Sequence, residues 1–260
     1  MRRLWLALGA IALMLQLAPA NRADDTADTR GIGGPVVITK PGTYTLRRAI
    51  TARDERPLIT IAADDVSLDL SRLTLTGLGD KRGAGIVVEG RTNVSVRNGS
   101  LRNFGTAVQV NGSANVRLED LQITGEDIPG LPPETGILLI NTRAAHLSGN
   151  VIHKTFLGVF VRGGGSGGNT IKGNTITGGE NGQLGICYNP APGADPATDG
   201  PNGDLVAENQ IARFRTAIQL SPATKANMLV RNYLAFFEHG IEERTPGSNT
   251  LANNLETPLP

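Results

Sequence analysis

Four side chains have the chemistry to move a proton next to a carboxylate. Lys154 and Arg162 lie eight residues apart, with Asp127 and Glu134 upstream. Breaking a C–H bond α to a uronate carboxylate needs a base to take the proton and a cation to hold the enolate-like charge. Lys154 and Arg162 are the candidates for that pair, with Asp127 or Glu134 as a carboxylate partner. The plain alternative for Lys154 is a solvated surface charge. A glycosidase would instead need two carboxylates roughly 5–10 Å apart. The pairs Asp64-Asp65 and Glu242-Glu243 are adjacent in sequence, so on a strand their side chains point to opposite faces.

Other reactive groups are isolated. His146, His153 and His239 have no metal-pair spacing, so no metal site is expected. Calcium through Asp195 and Asp199 is the one cation reading, but that Pro/Gly/Ala-rich stretch reads better as a flexible surface excursion. Cys187 is the only cysteine, which excludes an internal disulfide framework. As a nucleophile it would need a cationic neighbour, and Arg162 is the evident one; the alternative is a passive, half-buried thiol. The run Gly163 to Gly168 has no following Lys-Ser/Thr, so it reads as a permissive turn rather than a phosphate loop.

The elements that must position these residues come from an internal repeat. Residues 85–98 and 107–120 match at an offset of about 22, each with period-two alternation, which predicts strands. Extending the register gives eight coils of three strands. First strands carry inward residues at Ile59, Ile86, Val108, Ile137, Val159, Ile186, Ile218 and Ile241. Second strands are marked by Leu68, Val96, Leu118, Leu147, Ile171, Val206, Leu229 and Leu251. Five residues on come third-strand markers at Leu73, Leu101, Ile123, Ile152, Ile176, Ile211 and Leu234; Glu256 takes that place in the last coil, where the helix is expected to end. Inside that interval sit Asn150, Asn174, Asn209, Asn232 and Asn254. Stacked at ~4.8 Å per coil, their amides would bond one to the next as a ladder. A sandwich or propeller would need hairpin turns; a unit repeating in one order favours parallel stacking.

The G-I-x-V strands (Gly85 to Val88, Gly136 to Leu139), the G-N-x-I turns (Gly149 to Ile152, Gly173 to Ile176) and the Asn ladder resemble the right-handed parallel β-helix, pectate-lyase-like superfamily, over about residues 36–256. The resemblance implies an all-β solenoid; activity does not follow, because this fold hosts lyases, hydrolases, epimerases, adhesins and accessory proteins. The Asp-x-Asp and Gly-His-Gly phrases of polygalacturonase-like members and the Asp-Pro-His-Asp phrase of mannuronan epimerases are absent. In the resembled superfamily, polysaccharide clefts commonly lie along the first-strand sheet. Extra residues at 78–84, 126–135, 178–184 and 190–203 all flank that sheet, as groove walls would. Alternation puts Gln109, Asn111, Phe160, Arg162, Asn189 and Gln219 on its outer face, with Cys187 among them. Amides for hydroxyls, a ring for a pyranose face and a guanidinium for a uronate suit a sugar chain. The alternative is that exposed strand positions are simply polar.

The ends and the bulk composition set the location and the partners. Arg2-Arg3, an apolar run from Leu4 to Leu17 and Ala18-Pro19-Ala20 read as a signal peptide over 1–20, too short for a stable membrane span. Residues 21–57 form an N-terminal segment and cap, and 58–256 the β-helix. The expected location is secreted or periplasmic. With 25 basic against 24 acidic residues, nucleic acid is not an expected partner. Ten aromatics against 33 Gly predict an aliphatic core without large rings. Two functions follow: an exported protein that binds or modifies a polysaccharide, an acidic one if lyase-like or epimerase-like, and a non-catalytic envelope accessory or structural protein.

Overall fold

The computed structural model describes residues 29–80, 82–126, 134–191, 193–195 and 198–259. The expected signal peptide and Asp127 lie outside the described residues. The chain forms a right-handed parallel β-helix. Its first strands make one nine-stranded parallel sheet, and its second and third strands merge into a seventeen-stranded sheet wrapped around the other sides. In two coils the second and third strands run on as single strands, Thr92–Arg102 and Ala114–Thr124.

The inward columns stack residue on residue. Ile59, Ile86, Val108, Ile137, Val159, Ile186, Ile218 and Ile241 are successive partners. Leu68 to Leu251 form a second column in the predicted order. Period-two patterning therefore located the core correctly: one residue type faces in at each rung, and a one-residue slip would turn the whole set outward.

Four expectations change. Among the described residues the coils number nine rather than eight, because Val36–Ile38 pairs with Ile59–Ile61 and Gly42–Leu46 with the next second strand. The stretch assigned as a cap thus contributes a coil of its own, and Arg30–Ile32 pairs onto its strand Gly42–Leu46. In the next coil the third-strand marker is Leu75, not Leu73; it pairs with Ile50 and Leu101. Ser71 and Arg72, both at positive φ, lengthen that turn by two residues. The last coil does keep a third strand, with Glu256 opposite Leu234.

The core also accepts rings. Tyr188 is fully buried, as are Phe104, Phe214 and Phe237 to within 5%. The Phe rings fit because, from Ile86 onward, the residue before each first-strand marker is Gly or Ala. A Cβ on Gly85 would meet Phe104, one on Gly185 would meet Phe214, and one on Gly240 would meet Phe237. At Gly158 an added Cβ would stand 2.4 Å from both the Gly185 carbonyl oxygen and Ile176 Cγ2, so Gly158→Ala should cost roughly 2 kcal/mol. Urea unfolding of that variant checks it; an unchanged midpoint would show that the coils can spread.

The Asn ladder forms as predicted. Asn174 Nδ2 donates to Asn209 Oδ1 and Asn209 Nδ2 to Asn232 Oδ1, each at 3.0 Å, and each backbone N–H of the series donates to the same oxygen of the next member. The remaining amide hydrogen bonds a carbonyl of the preceding coil, Leu147 for Asn174 and Ile171 for Asn209. A second ladder, not expected, lines the turn before the second strand: Asn169, Asp204, Asn227 and Asn249.

Candidate functional site

The outer face of the first-strand sheet presents two parallel rows. Gln109, Leu138, Phe160, Cys187, Gln219 and Glu242 are neighbours in one; Asn111, Ile140, Arg162 and Asn189 in the other. The six sugar-contact candidates therefore share one surface, and strand alternation alone put them there.

The rows converge on one spot. The Arg162 guanidinium lies over the Phe160 ring, 5.0 Å from its centroid, while its Nε donates to the Pro190 carbonyl at 3.4 Å. Stacking fixes the plane of the fork and leaves its remaining N–H groups free to point outward. Beside it a cavity of about 420 Å³ is bounded by Arg162, Asn189, Ser221 and Arg244. Arg244 also borders a second cavity, of about 440 Å³, with Gln219, His239 and Glu242. The groove thus has a guanidinium on each side and an amide floor.

Glu242 is the one carboxylate among the described residues bordering these two cavities. Gln219 Nε2 donates to it at 3.1 Å and Arg244 Nε at 3.3 Å. The Gln219 bond, then the Arg244 charge, hold Glu242 below the usual carboxylate range. A group kept ionised by its own neighbours is a poor proton donor. Glu243 turns the other way and accepts bonds from Gly247 and Asn249, as alternation requires.

The proton-transfer set does not converge. Lys154 precedes the strand Leu157–Arg162, at whose far end Arg162 stands, so the length of that strand, roughly 16 Å, separates the two. Glu134 is buried and accepts the Glu126 N–H at 3.0 and 3.1 Å. Cys187 is fully buried, not half-exposed, and burial pushes its thiol up to about 12 despite Arg244 and Arg162. It is therefore not an activated nucleophile. Asp199 ties two turns together, accepting the N–H groups of Gly164 at 2.5 Å and Ala191 at 2.8 Å. The supposedly loose excursion is thus pinned to the glycine turn.

A family described as "Periplasmic copper-binding protein (NosD)" matches residues 64–255, about three quarters of the chain. The chain belongs to the NosD family. No curated protein matches it at a significant level. Solved structures share the fold at low identity. A surface adhesin of Streptococcus pneumoniae, PfbA, matches with TM-score 0.58 and 10% identity over 88% of this chain and 87% of that one. A tailspike of E. coli bacteriophage HK620 matches with TM-score 0.59 and 11% identity over 89% and 50%. A pectate lyase from Bacillus sp. N165, solved with trigalacturonate, matches with TM-score 0.51 and 13% identity over 84% and 74%. The chain spans about half the length of the tailspikes it matches.

The family's description implies copper, and the described side chains of this NosD-family chain do not fit it. No three His, Cys, Asp or Glu side chains gather among the described residues. The soft ligands copper prefers are scattered. His146 and Met228 are exposed on second strands, His239 lies on a first strand, and the Cys187 sulfur is buried and held protonated. The NosD-family chain is a secreted or periplasmic protein, and among its described residues no helix is long and apolar enough to cross a membrane.

Proposed function

We propose that this protein binds an acidic polysaccharide across the first-strand sheet and does not cleave it. The observation that carries this is the Arg162 guanidinium stacked on Phe160 at the edge of a groove shared with Asn189 and Arg244. A pyranose ring needs an apolar plate and amide partners for its hydroxyls, and a uronate adds a carboxylate that a preorganised fork binds bidentately. Glu242, engaged by Gln219 and Arg244, leaves the groove without the second free carboxylate that hydrolysis requires. The lyase and adhesin relatives in fold are compatible with either outcome and decide nothing.

The expected result is saturable binding of polygalacturonate or alginate by calorimetry, weakened about tenfold by Arg162→Gln, with no unsaturated product absorbing in the near ultraviolet. Absence of binding to every acidic polymer, or binding indifferent to Arg162→Gln, would overturn it. Appearance of unsaturated product would replace binding by lyase chemistry.

A further inference from the structure

A separate cavity of about 820 Å³ opens at the corner where each third strand hands over to the next first strand. Two residues past successive third-strand markers stand Lys154, Gly178, Arg213 and Phe236. Lys154, Arg213 and Phe236 have φ of 53°, 58° and 52°. This left-handed turn breaks the strand alternation and directs their side chains away from both core and sheet. Gly178, on the rung between them, is buried against the next coil, where an added Cβ would stand 2.0 Å from the Arg213 carbonyl oxygen. No side chain from that rung therefore projects between Lys154 and Arg213, which lie two rungs or roughly 10 Å apart.

The walls combine three kinds of group. Lys154 and Arg213 are exposed, and neither is ion-paired to a carboxylate among the described residues. Phe236 shows 51% of its surface, a flat ring with nothing stacked on it among the described aromatic contacts. Glu126 and Glu180 border the cavity as well, while Glu238 is paired with Arg215 at 3.2 Å. His153 lies on the wall between the cations. Burial first, then Lys154 and Arg213, depress its pKa below 6.5, so the local field there is positive although the rim is mixed.

We infer that this corner cavity is a binding site for a carboxylated sugar, with Lys154 and Arg213 on the carboxylate and Phe236 against the ring. The mixed rim selects for that class. Glu126 and Glu180 can accept bonds from sugar hydroxyls, but they repel a compact multiply charged anion such as phosphate. The apolar plate distinguishes a sugar from a simple anion. The site uses none of the sheet residues and stands or falls independently of the sheet proposal.

His153 supplies the readout. A carboxylate seated between Lys154 and Arg213 should raise its pKa by about half a unit or more, followed by ring NMR and assigned with His153→Gln. His146, exposed on a second strand and not among the residues lining the cavity, serves as the reference. The probes are trigalacturonate and trimannuronate, their methyl esters, and inorganic phosphate. The expected result is a His153 shift with an acidic trimer and none with its ester. Lys154→Gln or Arg213→Gln should weaken binding about tenfold. Phe236→Asn, which suits the positive φ, should also weaken it, and Arg162→Gln should leave the His153 response intact. No His153 shift with either trimer would overturn the inference. So would a response abolished by Arg162→Gln alone, which would assign the effect to the sheet. An equal response to phosphate, indifferent to Phe236→Asn, would reduce the cavity to an anion site and also overturn it.

Discussion

Asp204→Asn should make the protein more stable at neutral pH and remove most of its pH dependence between about pH 4 and 7. Asp204 is 2% exposed and occupies a position in the second ladder that Asn fills on both sides. Its Oδ1 accepts the Asn169 backbone N–H at 2.8 Å, and the Asn169 amide lies 3.2 Å from both oxygens. The hydroxyl of the fully buried Tyr188 lies against it without a well-aligned partner. Burial pushes the Asp204 carboxyl up to about 6 from 3.8, against the opposing pull of the Asn169 hydrogen bonds and, more weakly, of the nearby Tyr188 hydroxyl. The folded state therefore holds the proton longer than the unfolded chain. Its stability is fully present below about pH 4 and is lost as the pH rises through about 6, by roughly 2–3 kcal/mol. An amide carries no such term. By the ladder's own periodicity it would also offer an N–H to the Ser166 carbonyl, as Asn169 does to Thr142 and Asn227 to Pro201. Urea midpoints measured across that pH range should fall for the wild type and stay level for the variant. Parallel curves would show that Asp204 is ionised at no cost.

The largest loss is expected at the centre of the first ladder. Asn209 is fully buried; its Oδ1 receives two donors from Asn174, and its amide bonds the Ile171 carbonyl and Asn232 Oδ1. Asn209→Ala would leave buried donors and acceptors unpaired on both neighbouring coils, where water cannot reach. That should cost roughly 3–4 kcal/mol and about 10 °C in Tm. Asn254→Ala, at the half-exposed end of the same ladder, should cost only about 1 kcal/mol. Calorimetric scans of the two variants test the contrast; equal losses would mean that position along the ladder does not matter.

The columns of the core were legible because the pattern of apolar residues is the same physical demand repeated at each rung. What escaped followed from departures from that repeat. The first coil rests on strands of three to five residues, Val36–Ile38 and Gly42–Leu46, too short to show a period. The second ladder was written in the same Gly-Asn-x-aliphatic phrase as the first, at Gly168 to Ile171, but only the turn with the constant five-residue interval was assigned to it. On the face, alternation placed Phe160, Arg162 and Gln219 correctly. It has no hold on Lys154, because a left-handed residue leaves the alternating series. It failed for Cys187 because strand position says which way a thiol points and not what covers it.

The in-register outer row has a consequence for any extended ligand lying along the axis. Each rung offers its side chain in the same orientation, one step of ~4.8 Å after the last, so a ligand displaced by one coil meets the same shape. It does not meet the same chemistry: Leu138, Phe160, the covered Cys187, Gln219 and Glu242 follow one another without repeating. A chain bound there as proposed would thus meet a backbone that repeats and a row of groups that does not, and would be held at one address instead of travelling along the axis.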